Sequence, residues 1–141
     1  MLFRSRRVLL APAPGEQHTF GVSMVSEFFI RAGWEVTFTE GNTRANAIDM
    51  VEQDWFDVVG FSVGSESRLD WLKKGIADIR ARSRNHDIGV MVGGPIFVLN
   101  PGFVAQVGAD GTAIDGLQAP MCAEAMVAER SRRLVKDQHE R

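Results

Sequence analysis

Five short apolar runs, each separated from the next by a longer stretch of helical spacing or a turn-rich segment, constrain this 141-residue chain more than any other feature. The runs are Arg7 to Ala11, Trp34 to Phe38, Phe56 to Ser62, Asp87 to Val92 and Ala109 to Ala113. Between the first two, apolar residues recur at Phe20, Met24 and Phe28 and at Val25 and Phe29, one face of an α-helix, until Gly33 stops it. Thr43 to Gln53 and Arg68 to Arg82 read as further helices, and Pro101 to Val107 as a short one. The last helix runs from about Asp115 to Val135, with a disturbance expected at Pro120. Strands that alternate with helices pair in parallel, because parallel neighbours need a crossover long enough to hold a helix. The pattern predicts an α/β fold, a Rossmann-like or flavodoxin-like doubly wound parallel sheet of five strands in the order 2-1-3-4-5, with helices on both faces. One domain over residues 1–135 with a frayed polar tail at 136–141 accounts for the whole length.

Composition narrows the class. The chain is 45% apolar and 24% charged with a formal net charge of -2, so no global field draws it to nucleic acid or to an anionic membrane. The single cysteine, Cys122, excludes an internal disulfide and a cysteine-based zinc site and fits a reducing cytoplasm. The N-terminus lacks a secretory pattern, and no segment approaches the ~20 apolar residues that span a bilayer. A soluble, cytoplasmic protein is expected.

Three loops that follow strands carry unusual residues. After the first strand comes Glu16-Gln17-His18-Thr19-Phe20-Gly21, after the third Ser62-Val63-Gly64, and after the fourth Gly93-Gly94-Pro95. In the order 2-1-3-4-5 these loops crowd one edge around the switch point between the first and third strands, where open α/β sheets bind ligands. His18 can coordinate a metal through one ring nitrogen while a carboxylate such as Glu16 holds the other N–H and fixes the tautomer. Gly60, Gly64, Gly93 and Gly94 remove side chains at the ends of two strands, leaving a slot for a flat or extended group. Phosphate-loop and dinucleotide glycine patterns are missing, and the third strand ends in Phe61-Ser62 where a phospho-receiver needs an aspartate.

These loops resemble those of the cobalamin-binding domains of methionine synthase, corrinoid methyl carriers, base-off mutases and several bacterial regulators. That family's pattern is D-x-H-x-x-G after the first strand, S-x-L near the end of the third and Gly-Gly after the fourth. This chain reads E-x-H-x-x-G, Ser62-Val63-Gly64 and Gly93-Gly94. The resemblance implies that His18 is the lower axial ligand of cobalt in a base-off cobalamin, with Glu16 as its carboxylate partner. It further implies that Thr19 belongs to the same cofactor loop and that Gly21 lets the following helix approach the corrin. Ser62 would hydrogen-bond the displaced base, Val63, Gly64, Gly93 and Gly94 would line the slot for the nucleotide tail, and Thr112 would face that tail. Glu16 stands where the pattern has Asp, and Gly64 where it has Leu.

The phrases SVGSESRLDWL, VMVGGPIF and VGADGTAIDG are most similar to photosynthetic-bacterial regulators of the AerR and PpaA antirepressor type and to the sensor domain of AppA, where heme has been proposed in place of cobalamin. The resemblance implies a sensory module that responds to light or redox state, acting through a protein partner, a transcriptional repressor, and not on DNA directly. A corrinoid-dependent enzyme subunit, either a mutase small subunit or a methyl carrier, and a heme sensor are the alternatives. Methyl carriers place a helical cap of ~80 residues before such a domain, and none precedes Arg7. The upper face of the cofactor is therefore expected to be covered by a partner or by a homodimer.

Overall fold

The computed structural model describes residues 5–12, 19–39, 44–113 and 115–139. Strands β1 (Arg7–Pro12), β2 (Glu35–Phe38), β3 (Val58–Ser62), β4 (Gly89–Gly93) and β5 (Gly111–Thr112) form one sheet in the order β2-β1-β3-β4-β5, with every pairing parallel. Helices α1 (Thr19–Arg31), α2 (Arg44–Gln53), α3 (Leu69–Arg82), α4 (Pro95–Leu99), α5 (Gly102–Gln106) and α6 (Ala119–His139) cover it. This is the doubly wound order expected from the alternation of the sequence.

The central strands are continuous apolar runs because both of their faces are covered. Odd-numbered β1 and β3 residues Leu9, Ala11, Val59 and Phe61, with Val90 and Val92 of β4, enter a large core under α2 and α3. Val8, Leu10, Val58 and Met91 point the other way, into a smaller core with Phe29 of α1 and Ala119, Ala123 and Val127 of α6. The period of two thus divides the chain between two cores of unequal size.

Local chemistry fixes the joints. Gly33 ends α1 at φ 90°, with Gly33 N–H donating to Ile30 O at 3.0 Å and Trp34 N–H to Phe29 O at 3.0 Å. Only glycine takes that left-handed position without a penalty, and the following Trp34 ring packs edge-on against Phe29 at 5.2 Å. Between α3 and β4 the fully buried Asn85 donates through Nδ2 to Phe56 O at 2.9 Å, and its Oδ1 accepts from Asp87 N–H at 3.1 Å. At the short edge strand, the Asp110 carboxylate accepts from Val90 N–H at 2.8 Å, extending by a side chain the ladder that β5 is too brief to complete. Asp110 is held in turn by Arg80 at 3.2 Å.

Three expectations change. The segment after Gly94 is already helical at α4, because Pro95 occupies a first-turn position whose N–H needs no partner, and a second short helix follows. Asp115 caps a 3-10 turn at Gly116–Gln118 by accepting from Gln118 N–H at 3.0 Å, so α6 proper starts at Ala119. Pro120 then lies in the first turn of α6 and disturbs nothing, while the helix expected to end near Val135 continues through residues 136–139. Among the described residues no helix is long and apolar enough to cross a membrane.

Removing the Asn85 amide leaves the Phe56 carbonyl and the Asp87 N–H without partners in a dry joint. Asn85→Ala is expected to lower the unfolding free energy by about 2 kcal/mol in urea titrations.

Candidate functional site

The carboxyl ends of β1, β3 and β4 finish level with one another, Pro12 beside Ser62 and Ser62 beside Gly93. Strand order reverses between β1 and β3, and at such a switch point an open α/β sheet has its crevice. Ser62 and Gly93 share the parity of Val58 and Met91, which places them on the α1/α6 side of the sheet. One row below lie Leu10, Gly60, Met91 and Gly111.

What covers each glycine defines the depression. A Cβ on Gly60 would stand 3.1 Å from Leu10 Cδ2 and 3.5 Å from Met91 Cε, and one on Gly111 would stand 3.2 Å from Met126 Cε and 3.5 Å from Cys122 Sγ. A Cβ on Gly93 would meet nothing within 4 Å among the described residues. The face is therefore filled in its lower row by side chains, two of them flexible thioethers, and open at the row that ends in Gly93. Small residues continue on the helix side, where α6 presents Ala119 and Ala123 to the same core.

A backbone clamp holds the rim. Val63 N–H donates to Gly93 O at 3.0 Å, one step past the last paired residues. Gly94 then turns away at φ 131°, and a Cβ there would lie 2.1 Å from Val63 O. No other residue fits this position, since both the dihedral and the contact with a carbonyl forbid a side chain.

The structure brings some of the expected residues together and separates others. Ser62, Gly93 and Gly94 meet at the crevice. The Val63 side chain is fully buried in the opposite core under α2 and α3, so its contribution to the rim is its peptide group and not an apolar wall. Thr112 pairs with Val92, which also belongs to that opposite core, and it faces away from the Ser62 row. Its hydroxyl reaches only Ala113 O at 3.5 Å. Gly64 is exposed at the start of a loop in which Ser65 caps a 3-10 turn, its hydroxyl accepting from Ser67 N–H at 3.3 Å and lying 2.8 Å from the Ser67 hydroxyl. Thr19 and Gly21 lie in α1, the helix that leads away from the crevice. Glu16 and His18 lie outside the described residues.

Gly60, expected at the slot, lies on this face, and Gly111 joins it without having been singled out. The signal for Gly111 is its pairing with Met91, which exists only once register is known. Cys122 also borders this face, and burial pushes its thiol up from its ordinary value. That favours the protonated thiol over the reactive thiolate. Among the described residues no group of three histidine, cysteine or acidic side chains is placed to hold a metal ion.

The two adjacent glycines differ sharply in what a methyl group would meet. Gly94→Ala is expected to lower stability by about 3 kcal/mol, and Gly93→Ala by less than about 1 kcal/mol, in parallel thermal and urea melts. Equal effects would contradict the clamp.

Comparison with known proteins fits this geometry. A family model described as the B12 binding domain matches residues 6–120. Among solved structures, a novel cobalamin-binding protein from Desulfitobacterium hafniense DCB-2 superposes with a TM-score of 0.77 at 21% identity, over 87% of this chain and 60% of the other. The monomethylamine corrinoid protein of Methanosarcina barkeri gives 0.73 at 15% identity, over 85% and 57%. The methanol:cobalamin methyltransferase complex MtaBC from Methanosarcina barkeri gives 0.72 at 19%, over 86% and 46%. This chain thus spans 60% or less of the length of each, and at these identities the likeness is one of fold. No curated protein matches it.

Proposed function

Because the chain belongs to the B12 binding domain family, we propose that it binds cobalamin at the crevice between β1, β3 and β4 and works as a sensory or regulatory module through a protein partner. The observation that carries the binding reading is the open face over Gly93, bordered by Ser62 and fixed by the Val63–Gly93 clamp. A planar macrocycle with an extended tail needs a backbone it can approach closely, and a glycine at the end of a central strand supplies one. The residues present fit the group.

In this reading Ser62 offers a hydroxyl that donates to or accepts from the inserted base. Gly93 admits the tail, and Gly94 keeps the following helix clear of it. His18 would hold the metal through one ring nitrogen, and Glu16 would accept the other ring N–H and orient the ring. Bound cobalamin supplies a cobalt centre whose axial ligands exchange, the chemistry that sensing and methyl transfer share. A regulatory role rests on the resemblance of three phrases to photosynthetic-bacterial antirepressors, and a repressor protein is the partner that resemblance implies. A corrinoid carrier is the second reading, favoured by the structural likeness to a monomethylamine corrinoid protein and a methanol:cobalamin methyltransferase complex. Heme in the same crevice is the third ligand to test.

Visible absorbance titration separates these. Hydroxocobalamin is expected to give a saturable shift with the wild-type chain, and His18→Ala is expected to abolish the spectral signature of imidazole ligation. Gly93→Leu is expected to weaken binding by at least about tenfold while leaving the melting curve nearly unchanged. A shift with hemin alone would replace cobalamin by heme, and no shift with either would overturn the reading.

For the loaded protein, illumination is expected to change its affinity for a repressor partner. Methyl exchange with a corrinoid methyltransferase, with no response to light, would establish the carrier instead.

A further inference from the structure

The outward side of α6 is not the charged face that a surface helix normally presents. At 100° per residue its midline, opposite the core-facing Ala123 and Val127, runs through Met121, Ala125, Ala128, Arg132 and Val135, all of them exposed. Met121 is 75% and Val135 52% exposed, and Leu117, 64% exposed in the turn just before, lengthens the apolar stripe. Charge is segregated along the same helix. Up to Glu129 it carries Glu124 and Glu129 and no cation, whereas the part from Arg130 onward carries Arg130, Arg132, Arg133 and Lys136 against Asp137. The helix dipole favours such a bias only in the first and last turns, so it does not account for the reversal at mid-helix.

A helix acidic in one half and basic in the other is complementary to itself when antiparallel. We propose that the outward face of α6 is a homodimer interface, in which two copies pack antiparallel about a two-fold axis at Ala128. That register sets Met121 against Val135 of the second copy, Ala125 against Ser131, and Glu124 against Arg132, each pair occurring twice by symmetry. Ala128 meets its own equivalent at the axis, where a small side chain lets the helices approach closely.

The contacts these charges make within one chain are weak enough to give way. Glu124 lies 3.7 Å from Arg6 and Arg132 lies 3.8 Å from Glu129, with all four side chains about half exposed or more. Packing on this flank leaves the carboxyl edge of each sheet open, so the proposal stands independently of what the crevice binds.

Sedimentation velocity of the full chain over a range of concentrations tests it. Wild type is expected to be a reversible dimer, and Glu124→Arg and Arg132→Glu each to weaken it by at least about tenfold, because each places like charges at both symmetric contacts. The double variant is expected to recover wild-type association, since it restores opposite charges in the reversed sense. Ala128→Cys in a Cys122→Ser background is expected to form a disulfide-linked dimer on mild oxidation. Circular dichroism melts establish that each variant folds. A monomer at all concentrations, a dimer indifferent to both single changes, or a double variant that fails to recover would each overturn the interface.

Discussion

The rim of the candidate site hangs on one close approach, that of the Gly94 backbone to the Val63 carbonyl. With the hydrogen bond from Val63 N–H to Gly93 O, it ties the two central strands together at their carboxyl ends. The cost is a backbone conformation open only to glycine. The neighbouring Gly93 is under no such steric demand, and a Cβ there would meet nothing within 4 Å among the described residues.

Unequal cores on the two faces of the sheet support the same division of labour. The side under α2 and α3 is filled with large aliphatic and aromatic residues, among them Phe56, Leu72, Ile76 and Ile79. The side under α1 and α6 combines fewer large side chains with Gly60, Gly111, Ala119 and Ala123. Burial on the first face supplies most of the apolar stabilisation, at roughly 25 cal/mol per Å² removed from water. The second face is correspondingly thinner in side chains. Met91 and Met126 fill its lower row with flexible side chains that adapt to a neighbour at small cost.

The end of the sheet remote from the crevice is organised differently. There Arg7 lies 4.8 Å over the Phe56 ring, donates to Trp55 O at 2.9 Å and lies 3.5 Å from Glu35, while Arg130 lies 5.1 Å over the Trp55 ring and 3.7 Å from Asp87. Arg82 pairs with Glu52 across α2 and α3. These arginines face acids and aromatic rings of their own chain. Leu117, Met121 and Val135 leave exposed apolar surface on the outer flank of α6.

Sequence alone determined the five strands, their parallel order and the loops that meet at the switch point, because periods of 2 and 3.6 residues report which faces are buried before any contact is known. It also determined that Ser62, Gly93 and Gly94 belong to one edge, since strand order converts distant residues into neighbours. It left open which way each residue points. Val63 and Thr112, expected in the slot, turn into the opposite core, while Gly60 and Gly111 turn toward it, a choice set by a register in which one step reverses every side chain. Only the tertiary structure decided that Gly94 must be glycine, because that depends on the position of a carbonyl thirty-one residues earlier in the chain, at Val63, and that nothing among the described residues stands over Gly93. The outward stripe of α6 became legible for the same reason: a helix has an outside only once its inside has been packed.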